Sequence, residues 1–82
     1  MITSPLKPAF FSGVWEARVT FPVRGEFFTC LDTKAGTLWI NGRYNPLTRD
    51  GDVMTGTAPV EGYPYTVTCR RDGFGWVVEF GD

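Results

Sequence analysis

Residues 65–80, Tyr-Thr-Val-Thr-Cys-Arg-Arg-Asp-Gly-Phe-Gly-Trp-Val-Val-Glu-Phe, decide the fold class. Asp72-Gly73 is a two-residue hairpin signal, because both central residues of a type I′ turn take positive φ and Asp-Gly does so at low cost. A turn there pairs Cys69 with Trp76, Val67 with Val78 and Tyr65 with Phe80. Those six apolar side chains share one face, while Thr66–Glu79 and Arg70–Gly75 fall on the other. Register and alternation agree, which predicts an antiparallel hairpin with one buried face.

The same grammar extends toward the N-terminus. Trp15, Ala17, Val19 and Phe21 alternate with Glu16, Arg18 and Thr20, the period-two pattern of a half-buried strand. Pro22-Val23-Arg24-Gly25 is a turn cluster. Glu26 to Asp32 is apolar on both faces, through Phe27, Phe28, Cys30 and Leu31, and is expected to be a central or covered strand. Thr37 to Ile40 runs into Asn41-Gly42, the strongest short hairpin signal in the chain. That turn pairs Ile40 with Arg43 and Trp39 with Tyr44, and Pro46 marks Arg43 to Asn45 as a short edge strand.

Arg49-Asp50-Gly51 reads as a turn, Asp52 to Ala58 as a weak strand thinned by Gly56, and Pro59 to Pro64 as a loop. Met1 to Pro8, with two prolines, reads as an extended arm. No stretch carries a 3.6-residue apolar stripe. The expectation is a single all-β domain over residues 1–82, an antiparallel meander of six to seven short strands forming a small barrel or sandwich. Gly13-Val14-Trp15 resembles the opening of lipocalin-type barrels over those three residues alone.

Composition narrows the function. Thirteen aromatic rings in 82 residues are a large share of the burial a modest core offers, so either the core is unusually aromatic or some rings are exposed for binding. Net charge is −1 with 8 basic and 9 acidic residues interspersed, which lacks the basic footprint of a nucleic-acid binder. The absence of histidine removes the commonest general base and metal ligand. Met1 to Pro8 has no leader-like apolar core and no apolar run is long enough to span a bilayer, so the expected compartment is the cytoplasm.

No catalytic or metal constellation stands out. Asp50-Gly51-Asp52 lacks the further oxygen ligands of a calcium loop and reads as a polar turn. Glu16, Glu26, Glu61 and Glu79 are not brought into any acid/base pair by the pattern, and Glu16 and Glu79 read as solvent-face strand residues. Cys30 and Cys69 lie inside strands with no activating base and are expected to stay reduced, Cys69 as a small core hydrophobe. Arg70-Arg71 and Arg43 flank turns, where they are solvated or form a small anion patch.

The aromatic residues are the functional lead. Trp39 and Tyr44, with Arg43 beside them, form the expected binding site, with Tyr63 as an outlying member; tryptophan, tyrosine and arginine are the usual material of interface hot spots. The expected function is non-enzymatic binding of another protein, without cofactor or metal, in the manner of an inhibitor or accessory protein of a phage or mobile element. Self-association through open sheet edges is also expected. The alternative is a small-ligand or nucleotide-binding barrel using stacked aromatics and an arginine.

Overall fold

The structure, a computed structural model, describes residues 1–82 and contains strands and turns but no helix. The strands are β1 (Ile2–Pro8), β2 (Val14–Phe21), β3 (Gly25–Asp32), β4 (Thr37–Ile40), β5 (Arg43–Pro46), β6 (Thr48–Asp50), β7 (Val53–Val60), β8 (Tyr63–Asp72) and β9 (Gly75–Gly81). They form one antiparallel sheet in the order β5-β4-β3-β2-β1-β9-β8-β7-β6. The two ends of that order, β5 and β6, are separated in the chain by Leu47 alone. A sheet whose outer strands are successive pieces of one segment has curled into a nearly closed barrel.

The all-β meander expected from the sequence is therefore present, with nine strands in place of six or seven. The added strands are β1 and β6, the latter because the turn read over Arg49 to Gly51 lies at Gly51 and Asp52, leaving Thr48 to Asp50 to pair with β7. The arm over Met1 to Pro8 is a strand in the middle of the sheet, pairing with β9 from Ile2 to Leu6 and with β2 only at Lys7 and Pro8. Pro5 lies in the stretch bridged to β9 alone and Pro8 at the end of the stretch bridged to β2, so neither proline has a bridged partner on both sides. The segment read as a loop, Pro59 to Pro64, is a tight hairpin: Glu61 (φ 52) and Gly62 (φ 82) take the two positive φ angles of a type I′ turn between Val60 and Tyr63. Glu-Gly gives a weaker turn signal than Asn-Gly, which is why the sequence conceals it.

The final hairpin forms with a different register. Cys69 faces Val78, Val67 faces Phe80 and Arg71 faces Trp76, two residues away from the pairing expected. The turn residues are Gly73 and Phe74, and only Gly73 has positive φ (61), the pattern of a type II′ turn. An even shift keeps every side chain on its expected face, so the alternation survives the error. The Asn41-Gly42 turn forms as expected, with φ of 52 and 80 and with Trp39 opposite Tyr44.

Inward-facing residues of all the long strands meet in one core, including Val19, Phe21, Leu31, Leu38, Ile40, Met54, Val67, Cys69, Val78 and Phe80. At one end Phe21 packs against Tyr65, Phe80 and Phe27, with ring centroids 4.9, 5.1 and 5.7 Å apart. At the other end Trp76 closes the barrel beneath the guanidinium groups of Arg49 and Arg71, 5.8 and 5.6 Å from its ring. Arg49 is anchored by donating to the carbonyls of Gly51 and Thr33, and Arg71 by donating to that of Gly73. Buried polar groups are paired: Thr29 Oγ1 donates to the Trp39 carbonyl and Asn45 Nδ2 to the Leu38 carbonyl.

Closure depends on one bare backbone position. A Cβ on Gly56 would stand 2.7 Å from the Pro46 carbonyl oxygen and 2.8 Å from a Leu47 methyl. The glycine that weakens β7 in the sequence is what admits the bend between β5 and β6. Gly56→Ala is expected to cost about 1–3 kcal/mol, as other overpacked sites do, read as a lower urea midpoint; an unchanged midpoint would show that the bend has room to spare. Strain sits elsewhere: Val23 occupies the third position of the turn after Pro22 with φ 72, a region hostile to β-branched residues, and its side chain is fully exposed. Val23→Gly removes no packing and is expected to raise stability by about 1 kcal/mol. Thermal melts of the two proteins compare them directly.

Candidate functional site

The barrel interior is filled, and the one concavity of the molecule lies on its outer surface. Function therefore has to be sought on the outward positions, which the registers define. Across β2 to β5 one outward row reads Glu16, Cys30, Trp39, Tyr44. Beside it, Phe28 stands opposite Arg18 and its ring lies 6.4 Å from that of Trp39. Phe28 is 40% exposed and Tyr44 75%, with Trp39 and Cys30 half-buried between them. The result is a strip of three aromatic rings over three adjacent strands.

The outer face of the other half of the barrel has a different character. Its central row reads Thr48, Thr55, Thr68, Glu79, Thr3 across β6, β7, β8, β9 and β1, with Thr57 opposite Thr66 alongside. Arg70 forms an ion pair with Glu79 there. Such a face suits β-propensity and solvation, and its apolar members, Val53 and Val77 on either side of Arg70, are half-buried and carry no aromatic ring. The other well-exposed rings, Phe10, Phe11 and Phe74, sit on turns at the Trp76 end rather than on a strand face.

The four residues expected to form the site are divided by the fold. Trp39 and Tyr44 are cross-strand partners on the outer face. Arg43, one residue before Tyr44, lies on the opposite face of β5, beside Ile40 at the rim, with its side chain exposed. Tyr63 belongs to the other half of the barrel: its ring packs 4.7 Å from that of Tyr65, and the Arg24 guanidinium covers it at 4.7 Å while donating to the Tyr65 hydroxyl. Tyr63 is thereby held in an aromatic–cation cluster that closes one end of the barrel. Phe28 is the strip residue the sequence reading left unassigned. Its strand is apolar on both faces in the sequence, and the signal that Phe28 faces outward is that its face neighbours, Arg18 and Glu26, are charged.

Next to Phe28 lies a shallow cavity of about 260 Å³, lined by Lys7, Glu16, Ala17, Arg18 and Phe28. Arg18 is paired with Glu26 at 3.5 Å, both largely exposed, which holds the arginine loosely at the cavity edge. No group of histidine, cysteine, aspartate and glutamate side chains is arranged to hold a metal ion. No helix is long and apolar enough to cross a membrane.

Both cysteines are free thiols. Burial first, and then the Glu16 carboxylate across the strand pair, push the Cys30 thiol above its usual value. Burial pushes Cys69 up to about 12 from 9.0. Neither shift produces a thiolate nucleophile at neutral pH. The Cys69 shift carries a sign: the unfolded chain loses this proton near pH 9 while the native state keeps it to about 12. Stability is full below pH 9 and falls as pH rises through that window, by up to about 1.4 kcal/mol per pH unit. Denaturant titrations of wild type and Cys69→Ala from pH 8 to 11 are expected to show the steeper decline only in wild type; parallel slopes would contradict it.

Comparison with known proteins finds no matching family model, no matching curated protein and no matching solved structure.

Proposed function

We propose that this protein is a non-enzymatic binding module whose ligand is another protein, held on the outer face of β2 to β5. The observation that carries the reading is the confinement of strand-borne surface aromatics to one half of the barrel: Phe28, Trp39 and Tyr44 adjoin one another, while the facing half presents threonines. Aromatic side chains on rigid strands contribute large contact area at little cost in rotamer entropy, as hot-spot residues do. The filled interior leaves no enclosed space for a small ligand, and the flanking charges Arg18, Glu26 and Glu16 supply a polar rim. The module acts by covering its partner's surface, as inhibitors and accessory proteins do.

The test is capture from the native host, identification of the bound protein, and titration with variants. Tyr44→Ala and Phe28→Ala are each expected to weaken binding by about 2 kcal/mol, with Tyr44→Ala changing stability by less than about 0.5 kcal/mol. Trp39→Ala should lower both, because its ring is half-buried. Arg43→Ala, on the other face of β5, is expected to have the smallest effect on binding. Normal affinity in Phe28→Ala, Trp39→Ala and Tyr44→Ala together would place the interface elsewhere.

A further inference from the structure

We infer that the end of the barrel carrying Phe10, Phe11 and Phe74 seats this protein on a lipid bilayer, with the three rings entering the boundary between headgroups and acyl chains. This end lies apart from the aromatic strip on β2 to β5, and the inference does not rest on the reading of that strip.

The first observation is where the rings stand. The turn between β1 and β2 carries Phe10 and Phe11, and the turn between β8 and β9 carries Phe74. β1 and β9 are paired as far as Leu6 and Trp76, so the two turns leave the sheet side by side. A Cβ on Gly75 would lie 3.8 Å from the Trp15 ring, which puts the residue beyond one turn against the residue beyond the other. Phe10 is 94% exposed, Phe11 70% and Phe74 96%, each more than Phe28. Turns ordinarily carry polar residues, and three large rings held in water on adjacent turns mark a surface with an apolar occupant.

The second observation is that the tips suit an apolar phase in their backbone as well as their side chains. Ala9 to Gly13 and Gly73 to Gly75 contain no charged residue. The Phe11 carbonyl accepts from the Val14 amide, the Gly13 carbonyl from the Thr33 amide and hydroxyl, and the Gly73 carbonyl from the Arg71 guanidinium. A polar group already bonded within the protein loses little on leaving water. The same bonds tie the first turn to Thr33, so the rings are held out from the barrel on a fixed base.

The charges beside the tips settle the kind of bilayer. Lys34, Arg49 and Arg71 stand against Asp50, Asp52 and Asp72 on the neighbouring turns and strand ends, a balance that gives anionic lipid no net pull. Attraction therefore comes from the rings, and a zwitterionic surface is sufficient. A second copy of the chain is a poorer occupant. A protein buries a projecting ring only where it offers a recess, and the one concavity of this molecule includes Lys7, Glu16 and Arg18 in its lining. An acyl layer is fluid and closes around rings of any spacing. Seated in this way the protein keeps the Trp39–Tyr44 pair in water, because the Asn41-Gly42 turn beside them is at the opposite end of the barrel.

The test is flotation of the full chain with vesicles of phosphatidylcholine alone and of phosphatidylcholine containing a quarter phosphatidylserine. Wild type is expected to float with both, with partition coefficients within three-fold of each other and little changed by added salt. Phe10→Ser with Phe11→Ser should lower partitioning ten-fold or more, and Phe74→Ser three-fold or more, at unchanged melting temperature. Phe10→Leu with Phe11→Leu keeps the tips apolar and should stay within three-fold of wild type, as should Phe28→Ala. Absence of wild-type flotation, or wild-type flotation by the variant carrying all three serines, would overturn the inference. So would flotation confined to the phosphatidylserine vesicles and abolished by salt, which is attraction by charge. Equal loss from the serine and leucine pairs would overturn it in favour of a receptor that recognises the ring. Sedimentation showing a dimer for wild type and a monomer for the serine variants, without flotation, would assign the rings to a second copy.

Discussion

Closure of the sheet between β5 and β6 is the constraint on which the rest of the molecule depends. Short strands of three to ten residues bury little individually, and an open sheet of this size would leave its inner face half wet. Only when β5 and β6 bend around Leu47 and lie across Gly56 do Leu38 and Ile40 from one half meet Met54, Ala58 and Val60 from the other. The Leu47 amide donates to the Gly36 carbonyl at 2.8 Å, pinning the bend to the turn between β3 and β4. On the far side β1 joins the two halves, bridged to β9 from Ile2 to Leu6 and to β2 at Lys7 and Pro8.

Closure also explains the sorting of the aromatic residues. A small barrel has two ends that short strands cannot cover, and large side chains plug both. Phe21, Phe27, Tyr65 and Phe80 fill one, with Arg24 lying over Tyr63 as a lid. Trp76 fills the other, and the two arginines over its ring turn their charged edges to backbone carbonyls and solvent. The excess of rings in the composition is thus largely structural. What remains after both ends are plugged is the short outward strip and the exposed phenylalanines of the turns.

The sequence showed side-chain alternation well and strand partners less well, for physical reasons. Period-two patterning fixed which face of β2, β8 and β9 is buried, and Asn41-Gly42 fixed its hairpin to the residue. The register of the last hairpin was misplaced because Asp72-Gly73-Phe74-Gly75 contains two overlapping two-residue turns, and type II′ about Gly73-Phe74 competes with type I′ about Asp72-Gly73. Local chemistry does not separate them; placing Trp76 opposite Arg71 at the barrel mouth does. The pairing of β1 was hidden by its prolines, which disfavour a central strand unless that strand is two half-edges joined. Trp39 and Tyr44 were legible as a cross-strand pair because a turn fixed them opposite each other. The place of Tyr63 in the other half of the barrel was not, since it depends on a closure the pattern leaves open.

Of the three strip residues, Phe28 discriminates best between a structural and a binding account. An outward Trp–Tyr pair across an antiparallel ladder stabilises its hairpin by about 0.2–1 kcal/mol, so Trp39 and Tyr44 have a purely structural use. Phe28 has no such partner on β2: across from it stands Arg18, which is turned toward Glu26. The core gains nothing from Phe28, whose strand neighbours Phe27 and Thr29 already occupy the inward positions. A threonine there would satisfy the ladder and the alternation equally, as threonines do along the central row of the opposite face. Beyond its contact with the Trp39 ring, a phenylalanine left 40% exposed at the side of a cavity does more than the ladder and the alternation require, and that surplus is what supports the proposal of a binding surface on this face.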